Sequence, residues 1–133
     1  MNVIHFRDVE AFYAQVEPYL LLDEAAHNLT FGLLGTIRAD ATRYPDPLFV
    51  LVEDQGEVQL VALQTPPNRL VLSRAATPEA ITLLAESLYA SGVMLPGVTG
   101  PSAESTRFAE SWALLTGQTY AVVVPLRTFK LEQ

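Results

Sequence analysis

The segment Glu57–Gln64 constrains the fold more than any other part of the sequence. Apolar residues occupy both of its sides: Val58, Leu60 and Ala62 on one, Val61 and Leu63 on the other. A strand with two apolar sides is typical of the centre of a sheet that helices cover on both faces. The sequence therefore predicts a layered domain of helices and strands.

Two further strands are predicted around this one. The apolar run Leu48–Val52 precedes it, and Glu53-Asp54-Gln55-Gly56 between the two runs is typical of a hairpin turn. The segment Thr65-Pro66-Pro67-Asn68 contains two prolines that cannot donate to a neighbouring strand, so we expect it to interrupt the sheet. A third strand is predicted at Leu70–Leu72.

Two helices are predicted before the hairpin. Asp8 can cap the first, and Pro18 is expected to kink or end it. The second is predicted to begin near Asp23. The apolar face expected for it consists of Ala26, Leu29, Leu33 and Ile37.

Two more helices are predicted after the third strand. Thr77 followed by Pro78 is a typical helix start, and Gly92 is expected to end that helix. Ser102 can cap the other helix, which Gly117 is expected to end. The stripe of this helix that is predicted to lie in the core consists of Phe108, Trp112 and Leu115.

Short strands complete the pattern. One is predicted within Leu95–Gly100, and two terminal strands at Thr119–Val124 and Leu126–Leu131 are separated by Pro125. The order α-α-β-β-β-α-β-α-β predicts one α/β domain over residues 1–133 with an α+β layered architecture. We expect a mixed, mostly antiparallel sheet flanked by about four helices.

The composition excludes several classes of function. The chain has no cysteine, which excludes a disulfide scaffold and any thiolate site. Eight basic against fifteen acidic residues, a net charge of −7, argue against nucleic acid as a partner, because phosphate contacts need clustered Lys and Arg. His5 and His27 show no metal-binding spacing, so no metal site is predicted and each is interpreted as a surface or packing residue.

No targeting or membrane segment is predicted. Residues Met1–Asp8 lack a basic stretch followed by an apolar one, which argues against a secretory signal. The longest uncharged stretches, Ser87–Ala103 and Ser111–Leu126, contain Gly, Pro, Ser and Thr and are shorter than a membrane-spanning helix. We therefore expect a cytoplasmic protein.

The common catalytic motifs are absent from the sequence. There is no G-x-S-x-G nucleophile elbow, no G-x-x-x-x-G-K-[ST] loop and no G-x-G-x-x-G loop. The adjacent carboxylates Glu53 and Asp54 lie in a predicted turn, where solvation favours a structural role. No residue is predicted to be catalytic.

Two segments are candidates for the walls of a cleft. Thr65–Asn68 is interpreted either as a bulge that ends a strand pair or as a rigid lip that opens a groove. Leu95–Gly100 contains two glycines that permit close backbone approach. Trp112 can serve the core or a ligand surface. The cleft candidates are Gln64, Thr65, Pro66, Asn68, Gly97, Gly100 and Trp112.

Several runs of residues, taken in their order, resemble a known family. They are Val61–Ser73, Leu95–Gly100, Trp112 with Thr116-Gly117, and, near the start, Leu20–Leu22 followed by Glu24–Leu29. Together they resemble the N-terminal half of bacterial two-domain GNAT-type acetyltransferases over nearly the whole chain. The resemblance implies a degenerate acetyltransferase fold, expected here as an isolated half. It also implies a separate C-terminal half that binds acetyl-CoA and performs the transfer.

The cofactor motif of that family is Q/R-x-x-G-x-G/A, on the loop between a splayed strand and the following helix. Its backbone N–H groups bind the pyrophosphate of acetyl-CoA at a helix N-terminus. The equivalent residues here are Ser73–Pro78, which contain no glycine, and Pro78 lacks a donor. Arg74 is the one cation in this segment. It could attract a phosphate, but we expect a single arginine at a helix start to be solvated. We therefore expect this chain to bind no cofactor.

The resemblance implies a non-catalytic domain that packs, in cis or in trans, on a catalytic GNAT domain and shapes the acceptor-substrate cleft. The negative net charge would favour an amine-bearing acceptor. Two alternatives stay open. One is a small acetyl-CoA-dependent N-acetyltransferase in its own right. The other is a stand-alone binding module, or a homodimer, that uses exposed sheet edges.

Overall fold

The computed structural model describes residues 1–122 and 128–132. This part of the chain forms seven strands and four α-helices. They are β1 (Asn2–Phe6), α1 (Val9–Leu20), α2 (Asn28–Ala39), β2 (Leu48–Asp54), β3 (Glu57–Gln64), β4 (Leu70–Leu72), α3 (Pro78–Ala90), β5 (Gly97–Thr99), α4 (Ser102–Thr116), β6 (Thr119–Val122) and β7 (Thr128–Glu132).

The strands form one sheet in the order β1-β2-β3-β4-β5-β7-β6. Strands β4 and β5 run parallel, and every other pair of neighbours is antiparallel. The predicted α/β class, with a mixed, mostly antiparallel sheet and four helices, is confirmed. Residues 123–127, with Pro125 and the inner ends of the two predicted terminal strands, lie outside the described residues.

Helices cover both faces of β3, as its two apolar sides predict. Leu60 and Ala62 pack in the core beneath α3 and α4. Val61 and Leu63 pack in a second core beneath α1 and α2. Burial of apolar surface on both faces places β3 at the centre of the stabilising contacts.

The prediction for Val58 is wrong. Val52 pairs with Leu60 and Glu53 pairs with Val58, so Gln59 is an extra residue in a β-bulge. The extra residue shifts the alternation, and Val58 packs against the α1–α2 core instead of lying on the side of Leu60. The bulge also leaves the Gln59 carbonyl free for contacts outside the sheet.

The chain begins with a strand, which the sequence did not predict. β1 is an edge strand that pairs antiparallel with β2, from Asn2 opposite Glu53 to Phe6 opposite Phe49. Its residues are mostly exposed and include the polar Asn2 and His5. An edge strand needs no continuous apolar pattern, because only one of its sides meets another strand.

Helix α1 begins as predicted and ends later than its proline indicates. The Asp8 side chain accepts a hydrogen bond from the Ala11 N–H at 3.1 Å. Pro18 lies inside the helix, which continues to Leu20.

The predicted start of α2 is wrong, and its predicted apolar face is correct at Leu33 and Ile37 but wrong at Leu29. Two single turns of 3₁₀-helix, Leu21–Asp23 and Ala25–His27, precede it, and the α-helix begins at Asn28. These turns change the phase of the helix, so Leu29 is 53% exposed and Leu34 is buried. Ile37 is buried as predicted.

Helix α3 begins at Pro78 after Thr77, as predicted, although the Thr77 hydroxyl makes no capping bond. Ser102 is the first residue of α4 and Pro101 occupies the cap position, so the predicted Ser102 cap is wrong. Gly117 ends α4 with a left-handed φ of 76°. Phe108 and Trp112 are buried in the core, as their spacing predicts.

Candidate functional site

Six of the seven predicted cleft residues are divided among three cavities. Gln64, Pro66 and Trp112 line one of about 690 Å³ between the ends of α3 and α4, called here the tryptophan cavity. Thr65 and Asn68 line one of about 500 Å³ beside α2, called the arginine cavity because Arg69 also lines it.

A third cavity, of about 450 Å³, lies where β4 and β5 end and is called the strand-end cavity. Gly100 lines it together with Arg74. Gly97 lines none of the three. Pro96 lines the arginine cavity with Thr65 and Asn68, so the two candidate segments do meet there. The three cavities adjoin one another: the tryptophan and arginine cavities share Pro67 and Pro96, and the arginine and strand-end cavities share Leu29, Val71 and Thr99.

The proline segment is a turn closed by its own hydrogen bonds. The Asn68 backbone N–H donates to the Thr65 carbonyl at 2.9 Å, and the Asn68 amide donates to Thr65 Oγ1 at 3.2 Å. Gln64 is 3% exposed, and its amide donates to the Asn68 carbonyl at 3.0 Å. These bonds hold the turn between β3 and β4, where it separates the tryptophan cavity from the arginine cavity.

Gly97 and Gly100 permit close approaches that a side chain would block. A Cβ on Gly97 would lie 2.5 Å from the Phe129 carbonyl oxygen and 2.9 Å from the Arg69 side chain. A Cβ on Gly100 would lie 2.7 Å from the Leu72 carbonyl oxygen. Gly97, in β5, and Gly100, directly after it, therefore allow this part of the backbone to pack closely against its neighbours.

Trp112 is a core residue that also borders a cavity. It is 2% exposed and stacks on Phe108, with the ring centroids 5.8 Å apart. Its indole N–H donates to the Gln118 side-chain oxygen at 3.0 Å, which satisfies the donor. The core interpretation of this residue is confirmed.

The loop that joins β4 to α3, residues 73–77, uses its backbone donors within the fold. The N–H of Ser73 donates to the Val61 carbonyl at 2.9 Å, and that of Ala76 donates to the Gln59 carbonyl at 2.8 Å. The N–H of Arg74 donates to the His27 ring at 3.0 Å. The N–H of Ala75 donates to Glu104 Oε2 at 2.9 Å.

His27 is a structural residue held in one tautomer. It is 1% exposed, and its Nδ1 lies 2.8 Å from the Leu20 carbonyl oxygen, which requires a proton on Nδ1. Its Nε2 accepts the Arg74 N–H and so carries no proton. The interpretation as a packing residue is confirmed, and His5 is exposed on β1.

Glu104 places a carboxylate beside the loop. The residue is 7% exposed, and its Oε1 lies 3.9 Å from the Arg74 guanidinium. Arg74 also donates from Nε to Asp23 Oδ2 at 3.1 Å. That hydrogen bond, together with one from the Ala26 N–H, lowers the pKa of Asp23. The positive charge of Arg74 is therefore engaged by two carboxylates.

Tyr19 fastens the loop from α1. Its hydroxyl lies 2.7 Å from the Arg74 carbonyl oxygen and 3.0 Å from the Gln59 carbonyl oxygen. Burial and then the negative charge of Glu104 raise the pKa of Tyr19 to about 12. The hydroxyl has one hydrogen to share between these two carbonyls, and the Gln59 carbonyl also accepts from the Ala76 N–H.

Sequence reasoning missed the residues that hold this loop. The partner of Arg74 on His27 is 47 residues away, and the partner of Ala75 on Glu104 is 29 residues away. Such pairs leave no spacing pattern in the sequence. The burial of His27 and Glu104 would have indicated these contacts, but it is not evident from the residues that flank them in the sequence.

The described residues show no grouping of three His, Asp or Glu side chains that would hold a metal ion. No described helix combines the length and the apolar composition needed to cross a membrane. Comparison of the sequence and structure with protein-family models, curated proteins and solved structures gave no match.

Proposed function

We propose that this chain is a non-catalytic GNAT-type domain that packs on a catalytic acetyltransferase domain and shapes its acceptor-substrate cleft. The proposal combines the family resemblance of the sequence with the state of the β4–α3 loop. In the family that the sequence resembles, this loop binds the pyrophosphate of acetyl-CoA. Here it has the corresponding place in the chain, contains no glycine, and uses its backbone N–H groups from Ser73 to Ala76 within the fold.

The order of elements supports the GNAT-type part of the proposal. A cofactor site of that family needs a strand, a loop and a helix N-terminus in succession, beside a diverging strand. β4, residues 73–77 and α3 have that order, and β5 is the parallel neighbour of β4. The ends of β4 and β5 border the strand-end cavity. This order of elements supports the proposal.

The use of four consecutive amides carries the non-catalytic part. Each backbone N–H from Ser73 to Ala76 already donates within the fold, and Pro78 has none to offer. A pyrophosphate bound at this loop would have to displace these acceptors. It would also meet the carboxylate of Glu104, whose negative charge repels a phosphate at short range.

Exposed leucines support the packing part. Leu22 is 81% exposed and Leu21 is 50% exposed on the turn that joins α1 to α2. Leu29, the second residue of α2, is 53% exposed. Neighbouring apolar side chains in water are typical of a surface that another protein covers. Leu29 also lines the strand-end and arginine cavities, which supports a partner that meets the proposed cleft.

Titration of the chain with coenzyme A by calorimetry tests the cofactor half of the proposal. We expect no saturable heat at millimolar cofactor, because the amides are engaged. Saturable binding that disappears in Arg74→Gln would contradict the proposal and favour a small acetyltransferase active alone. The matched control is Arg43→Gln, which removes an exposed arginine of the loop between α2 and β2 that lines neither of the cavities bordered by residues 73–77.

Binding to a catalytic domain tests the packing half. The probe is an acetyltransferase domain with a Q/R-x-x-G-x-G/A motif, encoded in the same or the adjacent reading frame. Leu22→Lys should weaken the complex at least about tenfold, since it places a charge in an apolar contact. Leu114→Lys changes a leucine that is 89% exposed on α4, away from this surface, and should leave binding unchanged. Self-association of the chain in light scattering, with no binding to such a domain, would favour the dimerisation module.

A further inference from the structure

Arg69 has a buried donor with nothing to accept its hydrogen. The side-chain carbons of Arg69 lie over Gly97, at 2.9 Å from the position that a Cβ there would occupy. Its Nε is buried and makes no hydrogen bond to a described residue. The four ion pairs within the described residues do not include Arg69. A cation without an acceptor is unfavourable, and because Arg69 lines the arginine cavity, the guanidinium would stabilise an acceptor that a ligand brings into that cavity.

A second polar group lines the same cavity. Thr65 is 2% exposed, and its Oγ1 accepts a hydrogen bond from the Asn68 amide. That contact uses the oxygen as an acceptor and leaves the hydroxyl hydrogen to be donated. The arginine cavity therefore offers two donors, of which one is cationic, to a molecule inside it.

The remaining walls of the arginine cavity contain an apolar part and a polar part. The apolar part includes Leu29, Leu33, Val71 and Pro96, and the polar part consists of Asn68 and Thr99. Its volume of about 500 Å³ lies within the roughly 300–1,000 Å³ of typical small-molecule sites. Leu29 and Val71 also line the strand-end cavity, so the apolar trough continues along β4.

We propose that the arginine cavity binds a small organic monocarboxylate with an apolar body. The guanidinium of Arg69 matches the planar geometry of a carboxylate, and Thr65 adds a second donor. The body lies along Leu29 and Val71. A second anionic group is not expected, because Arg74 at the far end of the trough is already paired with Asp23. This inference concerns binding by the chain alone and stands whether or not a catalytic partner exists.

NMR chemical-shift changes of the backbone amides of the ¹⁵N-labelled full chain test the inference. The three probes are phenylbutyrate, phenylbutanol and phenylbutylamine, which share an apolar skeleton and differ in the terminal group. The carboxylate should give saturable shifts at residues that line the arginine cavity. Its dissociation constant should be at least about tenfold lower than that of the amine, because one charge-assisted bond is worth about that factor.

Three variants separate the role of Arg69 from a general effect of charge. Arg69→Gln should weaken carboxylate binding at least about tenfold, whereas Arg107→Gln makes the same charge change at an exposed site and should leave it unchanged. Leu29→Asp places a negative charge on the exposed wall and should also weaken binding. Because Leu29 is already 53% exposed, this variant keeps the test valid if Arg69→Gln fails to fold.

Several results would overturn the inference. Equal affinity for the carboxylate, the alcohol and the amine would show that Arg69 does not select the ligand. Unchanged binding in a folded Arg69→Gln variant would show the same. Shifts confined to the tryptophan cavity, or no saturation at millimolar carboxylate, would place the site elsewhere or remove it.

Discussion

The imidazole of His27 accepts a hydrogen bond from the backbone N–H of Arg74 at 3.0 Å, and this bond connects the turn before α2 to the loop after β4. The other ring nitrogen binds the Leu20 carbonyl at 2.8 Å. One side chain thus fixes the end of α1, the start of α2 and the β4–α3 loop with two hydrogen bonds. The contribution of these two hydrogen bonds to the free energy of unfolding can be measured.

His27→Ala should lower the free energy of unfolding by about 2–4 kcal/mol, because it leaves a buried N–H and a buried carbonyl without partners. Urea denaturation of the full chain measures the change. His5→Ala removes the exposed histidine of β1 and should change stability by less than about 0.5 kcal/mol. Equal effects of the two substitutions would contradict the role assigned to His27.

Tyr19 should make stability depend on pH in the alkaline range. Its folded-state pKa of about 12 lies above the ordinary value of 10.0, so the folded protein holds this proton more tightly than the unfolded chain does. The contribution is complete below pH 10 and is lost as the pH rises through about 12. Denaturation of the wild type and Tyr19→Phe across this range should show a steeper loss in the wild type. Parallel curves would show that the hydroxyl is not buried as described.

The Glu104 carboxylate should matter as an acceptor more than as a charge. Glu104→Ala leaves the Ala75 N–H without its partner and should lower the free energy of unfolding by about 1–3 kcal/mol. Glu104→Gln retains an accepting oxygen and should lower it by less. Glu110→Ala, at an exposed position of the same helix, is the control and should have almost no effect. A larger loss in Gln than in Ala would refute this order.

Two glycine-to-alanine substitutions should act in opposite directions. The methyl group of Gly97→Ala would lie 2.5 Å from the Phe129 carbonyl oxygen, so we expect a loss of about 1–3 kcal/mol in stability. Gly32 lies in α2 with no atom within 4 Å of an added Cβ. Gly32→Ala should stabilise the protein by about 0.5–1 kcal/mol through helix propensity. Thermal unfolding of both variants distinguishes close packing from a general effect of removing glycine.

Local chemistry in the sequence predicted most of the fold. The turn residues Glu53–Gly56 and the two apolar sides of Glu57–Gln64 were sufficient for the hairpin and its place between helices. The exposed edge strand β1 lacks a continuous apolar pattern and was missed for that reason. The phase of α2 depends on two turns of 3₁₀-helix, whose geometry the apolar spacing of Ala26 to Ile37 does not report.

The candidate site was predictable only in part. The absence of glycine from Ser73–Pro78 is a property of residue type, and the expectation drawn from it, that the loop binds no pyrophosphate, stays a prediction. The acceptors that engage the loop come from α4, from the bulge in β3 and from the turn before α2. Contacts between such distant segments follow from packing, and no local pattern encodes them.

The engaged loop has an evolutionary consequence. A new anion site at this loop would need the amides of residues 73–76 to leave their acceptors on His27, on Glu104 and on the β3 backbone. Replacing His27 or Glu104 frees a single donor and weakens the domain, and no substitution removes the backbone carbonyls of Val61 and Gln59. Step-by-step acquisition of such a site would therefore pass through destabilised intermediates.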